Sequence, residues 1–155
     1  MWSKLLVVTL VAAGCLSVGC GRSDPDIAAE ATVRVTTDAQ LRDLTLAITS
    51  QNGVVRLAGD TPSTEDQERA VGLVRAVSGV RDVVNDMWVR DAVLIDAVRR
   101  RLAEDSLTSA VAIDVQAERG TVRLYSGETT KEVRQRAVEL ARQVDGARRV
   151  EDWMK

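Results

Sequence analysis

The chain has 155 residues, with 21 basic and 23 acidic side chains, no histidine and no phenylalanine. A net charge of −2 argues against a generally basic nucleic-acid binder, and 45% apolar residues is the composition of a folded chain. Without histidine the commonest general base and metal ligand is missing, and with 3% aromatic residues any core must be built from Val, Leu, Ile and Ala.

The first residues set the compartment. Met1-Trp2-Ser3-Lys4 is a short positive start, and Leu5 to Gly19 is apolar apart from Thr9, Cys15 and Ser17. That run is shorter than the ~20 residues of a membrane span and reads as a secretory signal. It breaks abruptly into Cys20-Gly21-Arg22-Ser23-Asp24-Pro25-Asp26. Cys15 follows Ala12-Ala13-Gly14 and Cys20 follows Ser17-Val18-Gly19, and both contexts resemble the bacterial signal whose cysteine receives diacylglycerol. Cys20 is the preferred site because polar sequence begins directly after it, with Cys15 as the alternative. Residues 1–19 are then a lipoprotein-type signal peptide and 20–25 a lipidated tether. Acylation of Cys20 leaves no free thiol and no disulfide.

The rest repeats itself. At a shift of 67 residues, Arg69-Ala70-Val71 meets Arg136-Ala137-Val138, and Leu73, Arg75, Val77, Gly79, Arg81 and Val83 each meet their like. Two homologous modules are expected, at 26–89 and 91–155. In the first, Ile27, Ala31 and Val35 keep helical spacing despite the β-branched run Thr32–Thr37, and their partners Leu94, Val98 and Leu102 mark a clearer helix. Leu44, Leu46 and Ile48 alternate with polar or small residues as in a half-buried strand, as do Val111, Ile113 and Val115. Turns follow at Gln51-Asn52-Gly53 and Glu118-Arg119-Gly120, and strands return through Val55 and Leu57 or Val122 and Leu124. A second helix carries Ala70, Leu73, Val74 and Val77, or Val133, Ala137, Leu140, Ala141 and Val144. Its start signals are Pro62-Ser63-Thr64 in one copy and a capping box at Thr129 and Glu132 in the other. Val80 to Val89 and Ala147 to Trp153 complete the units as strands. The fold class is α+β: two tandem αββαβ modules, each a three-stranded mixed sheet with two helices on one face. Only Arg90 separates them, so they are expected to touch in a restricted orientation.

Gly53, Val55, Leu57 and Gly59, followed by the amphipathic helix and by Gly79, Val80, Val83 and Asn85, resemble the BON domain, named for bacterial osmotically inducible protein Y and nodulation. The second copy keeps Gly120, Val122, Leu124, Gly127, Gly146 and Val150, but has Ala147 for Val, Asp152 for Asn and one extra residue before Gly127. With the lipid signal, the chain resembles the dual-BON lipoproteins of the Gram-negative outer membrane. That resemblance implies an αββαβ fold, an outer-membrane location facing the periplasm, and binding of anionic phospholipid in support of envelope integrity.

Catalysis has little footing in this sequence, and no catalytic residue, metal ligand or cofactor is expected. Carboxylates at Glu65, Asp66 and Glu68 sit where a solvated helix start favours them, and Gly53 to Gly59 lacks the lysine of a phosphate loop. No Gly-x-x-Gly loop or aromatic platform supports RNA binding. An anionic membrane surface is the better partner, and the second module suits it: Asp24–Arg90 holds 7 basic and 11 acidic residues, Asp91–Lys155 holds 12 of each. The candidate head-group residues are Arg99, Arg100 and Arg101, beside an exposed Leu107, with Arg148 and Arg149 as a second patch. Trp153 is a candidate interface anchor, although sheet-edge packing also accounts for it. Three consecutive residues span about 200° of a helix, so a self-paired face is the competing reading, with Asp96 to Arg100 and Arg101 to Asp105 as the pairs. A different class of function also stands: a structural or chaperone-like adaptor for envelope proteins, with lipid serving only as anchor.

Overall fold

Residues 22–155 are described by a computed structural model, so the readings on residues 1–19, Cys15 and Cys20 lie outside the described residues. Helix α1 (Asp24–Thr37) starts at Ser23, whose hydroxyl accepts from the Asp26 N–H, and Pro25 sits in the first turn, where no hydrogen bond is lost. It buries Ile27, Ala31 and Val35. Its threonine-rich end stays helical because burial of Val35 outweighs strand propensity, while the hydroxyls of Thr32, Thr36 and Thr37 donate to carbonyls one turn back.

Strands β1 (Ala47–Gln51) and β2 (Val54–Thr61) pair antiparallel across a two-residue turn. Asn52 and Gly53 both have positive φ, 53° and 77°, the conformation that matches the twist of a hairpin. The first strand is shorter than its alternation suggested. Leu44 and Leu46 precede it, outside the ladder, yet both pack against the core. Helix α2 (Thr64–Arg75) is capped by Ser63, which accepts from the Asp66 N–H at 3.1 Å. Strand β3 (Asp82–Val89) then returns parallel to β2, giving the mixed order β1-β2-β3.

The second unit repeats this with α3 (Asp91–Glu104), β4 (Asp114–Glu118), β5 (Thr121–Tyr125), α4 (Lys131–Arg142) and β6 (Arg149–Asp152) in sheet order β4-β5-β6. One expectation needs correcting. The α4 cap is Thr130, accepting from the Val133 N–H, and not Thr129, whose own N–H is taken by the Lys155 carbonyl at 3.0 Å.

Each unit has its own aliphatic core between its helix pair and one sheet face: Ile27, Val35, Leu57, Val74 and Met87 in the first, Leu94, Val98, Leu124 and Leu140 in the second. Burying one such leucine contributes about 1.5–3 kcal/mol. The opposite sheet faces meet solvent, where Val54 and Arg56 of β2 are exposed. Among the described residues every buried side-chain polar atom has a partner, as where Gln67 donates to the Thr61 hydroxyl at 3.0 Å.

The units touch. Val89 lies against Gly146, where a Cβ would come within 2.5 Å of Val89 Cγ2. The Arg148 guanidinium donates to the Met87 carbonyl, and that of Arg119 lies 5.2 Å from the Trp88 ring centroid.

Candidate functional site

The α3 arginines are exposed, but the helix fans them apart. The Arg99 guanidinium donates to Asp114 on β4 at 3.4 Å and approaches the Val115 carbonyl at 3.5 Å. On the other side, Arg100 and Arg101 line a cleft of about 780 Å³ between the two units, shared with Glu65, Glu104 and Asp145. Arg101 donates to the Gln143 side-chain oxygen at 3.4 Å. Among the described residues Arg100 has no carboxylate within 4 Å.

The self-paired face is not what forms. Neither Asp96–Arg100 nor Arg101–Asp105 is an ion pair among the described residues. The helix ends at Glu104, so Asp105 leaves the helical path, and its carboxylate accepts from Arg136 Nε at 2.8 Å instead. Leu107 is 51% exposed, as its position suggested. Arg149 opens β6 and is exposed, and Arg148, directly before it, reaches across to the other unit. Trp153 is 59% exposed and stacks on Tyr125 with ring centroids 6.2 Å apart, while its indole N–H donates to Glu151 at 3.3 Å. The structure therefore separates three clusters: Arg99 at the β4 edge, Arg100 and Arg101 in the cleft, and Arg148 with Arg149 at the start of β6.

Two repeated electrostatic devices hold the frame. Asp24, at the start of α1, accepts from Ser50 Oγ at 2.6 Å and from the Asn52 and Gly53 N–H groups at 2.7 and 2.9 Å. These bonds, the Ser50 hydroxyl first, hold its carboxyl below the usual range. Asp91 does the same for the second hairpin, accepting from the Arg119 N–H at 2.8 Å. Asp38 accepts a two-pronged bond from Arg69, at 2.9 Å from Nε and 2.8 Å from Nη2, and Asp105 answers it with Arg136. Each arginine holds its partner's carboxyl below the ordinary aspartate value. Local patterning gives no hint of the clamp at Asp24 or the tie at Asp38, and it assigns Asp105 to Arg101 rather than Arg136, yet Asp24 and Asp91, like Asp38 and Asp105, obey the same 67-residue shift.

The model for the BON domain matches residues 23–91 and again 90–155. The chain belongs to the BON-domain family. The two BON domains are those just described, each with its hairpin clamp and its aspartate–arginine tie. The chain is 28% identical over 111 residues to outer membrane lipoprotein DolP of Haemophilus influenzae, across 65% of this chain and 57% of that protein. It is 23% identical over 150 residues to osmotically-inducible protein Y of Escherichia coli, across 89% of this chain and 75% of that protein. The chain thus spans little more than half the length of the first of these relatives. Among solved structures it is similar to the C-terminal domain of CdsD, a structural protein of the Type III secretion system of Chlamydia trachomatis, at 12% identity and a TM-score of 0.45, over 86% of this chain and 66% of that one.

Proposed function

We propose that this BON-domain protein is a non-enzymatic component of the bacterial envelope, acylated on Cys20 and held at the outer membrane facing the periplasm, whose second BON domain docks on anionic phospholipid. Both its membership of the family and the outer-membrane lipoprotein among its relatives support the envelope reading. The observation that carries the lipid reading is on α3. A domain with no net charge, in an acidic chain, presents three consecutive exposed arginines, and Arg100 has no acidic partner within 4 Å among the described residues. Each basic residue near an anionic surface contributes about 1 kcal/mol, and the attraction fades with salt.

Co-sedimentation of a signal-free Cys20→Ser protein with phosphatidylglycerol vesicles tests this reading. Replacing Arg99, Arg100 and Arg101 with Ala should weaken binding by about tenfold or more and leave the circular dichroism unchanged, because Ala favours helix. The same protein should bind phosphatidylcholine vesicles poorly. Undiminished binding by the triple variant would remove the head-group role and favour an adaptor that holds a protein partner. Mass spectrometry of the mature N-terminus should show the acyl mass on Cys20; finding it on Cys15 would move the anchor.

A further inference from the structure

We propose a second anion site in the second BON domain, formed by Arg142, Arg148 and Arg149 and shaped for a phosphate mono- or diester. These three arginines line one cavity of about 380 Å³, completed by Ala147 and Val150, and among the described residues no carboxylate lines it. Like charges gathered in one recess repel one another, so a cluster without acids needs a reason. Arg142 has a partial one, since it lies in the last turn of α4, where a cation offsets the helix dipole. Arg148 has another, its bond to the Met87 carbonyl. Arg149 has neither; it is exposed, and no carboxylate lies within 4 Å among the described residues.

The backbone presents these side chains from a fixed place. The Gly120 carbonyl in the hairpin turn accepts from the Arg148 N–H at 2.8 Å and the Arg149 N–H at 3.3 Å. The Arg148 stem packs over that glycine, with Cγ and Cδ each 3.2 Å from where a Cβ would stand. The fork of Arg149, another from Arg142 at the helix end and the donors of Arg148 that Met87 leaves unused suit the several oxygens of a phosphate, which guanidinium groups bind in pairs of hydrogen bonds.

The first BON domain is the internal control. The 67-residue shift places Arg75, Arg81 and Asp82 at these positions, so the third arginine is an aspartate there. The same fold therefore carries the cluster in one domain and cancels it in the other. The site is separate from the α3 arginines and stands or falls without them.

The test is NMR of the arginine Nε–Hε signals of the full-length chain in non-ionic micelles, titrated with inorganic phosphate, short-chain phosphatidylglycerol or short-chain phosphatidylcholine. Phosphatidylglycerol and phosphate should shift the signals of Arg142, Arg148 and Arg149, and the zwitterionic lipid, whose choline cation the three guanidinium groups repel, should shift them far less. A response to phosphate alone supports the site and assigns it to a free phosphate rather than a lipid. Arg149→Asp, which installs the first domain's residue, should weaken the response about tenfold, whereas Arg149→Lys should keep most of it. Arg75→Glu, an equal change of charge in the other domain, should leave it unaltered. Asp82→Arg should bring the Arg75 and Arg81 signals into play. An Arg149→Asp protein that responds like the parent, or no response to either anion, overturns the site. Shifts confined to Arg99, Arg100 and Arg101 would overturn it too, while leaving the lipid-surface reading of α3 intact.

Discussion

The two BON domains share a backbone plan but meet different neighbours. Gly79 and Gly146 are equivalent, with φ of 93° and 91°, and each leaves room for a side chain that a Cβ would strike. In the first domain that side chain is Ile27, from the domain's own α1. In the second it is Val89, the last residue of the other domain's sheet. The fold thus uses one left-handed glycine either to close a core or to seat a neighbour. Arg81 and Arg148 diverge likewise: only in the second domain does the guanidinium bond to the other domain's strand. The lesson is that a repeat can become a joined pair by reusing sites already empty of side chains, with no added linker.

Core truncation tests that comparison most severely. Leu57→Ala and Leu124→Ala, both at fully buried equivalents, should each cost about 3 kcal/mol. Residue-resolved hydrogen exchange should show the loss confined to the mutated domain if the cores fold independently, and shared if the joint couples them. The glycines come next. Gly79→Ala and Gly146→Ala should each cost about 1–3 kcal/mol in backbone strain, but only Gly146→Ala should let the domains tumble separately in ¹⁵N relaxation. Loss of a cap is smaller. Ser63→Ala and Thr130→Ala should each cost about 1 kcal/mol in denaturant unfolding, and Thr129→Ala should cost little.

The smallest effect is electrostatic. Asp38 and Asp105 have folded-state carboxyls held below their unfolded values, so their contribution is present above the ordinary aspartate range, about 3.9, and is lost as pH falls through the lower folded values. Asp24 adds to the same acid-side loss. The protein should destabilise on acidification below that range, and an Asp38→Asn, Asp105→Asn variant should show less of this dependence in thermal melts across acidic pH.

Periodicity made the elements legible because each pattern appears twice, and burial dictated both: Ile27, Ala31 and Val35 answer Leu94, Val98 and Leu102. The hairpins were equally plain, since positive φ at Asn52-Gly53 and Arg119-Gly120 favours the glycines found there. Strand onset was not, because Leu44 and Leu46 keep a two-residue alternation without ladder bonds. The capping-box pattern favours Thr129, whereas the repeat itself points one residue on, from Ser63 to the observed cap Thr130. The Arg101–Asp105 pair fails for a long-range reason: Asp105 lies beyond the helix and belongs to Arg136, which is 31 residues away. Of the site, sequence showed which arginines were exposed but not which share a cavity, since that depends on how α4, β6 and the hairpin turn converge.

With both cores wholly aliphatic, the aromatic side chains of the described chain, Trp88, Tyr125 and Trp153, all lie outside them. Optical signals from these residues therefore report on surfaces. Trp88 sits under Arg119, so its emission is a natural gauge of whether the domains remain docked. Trp153, stacked on Tyr125 at the far end of the second sheet, registers events there alone. The first core is thus read through undocking and loss of β3 at Trp88, and the second through the end of its sheet at Trp153.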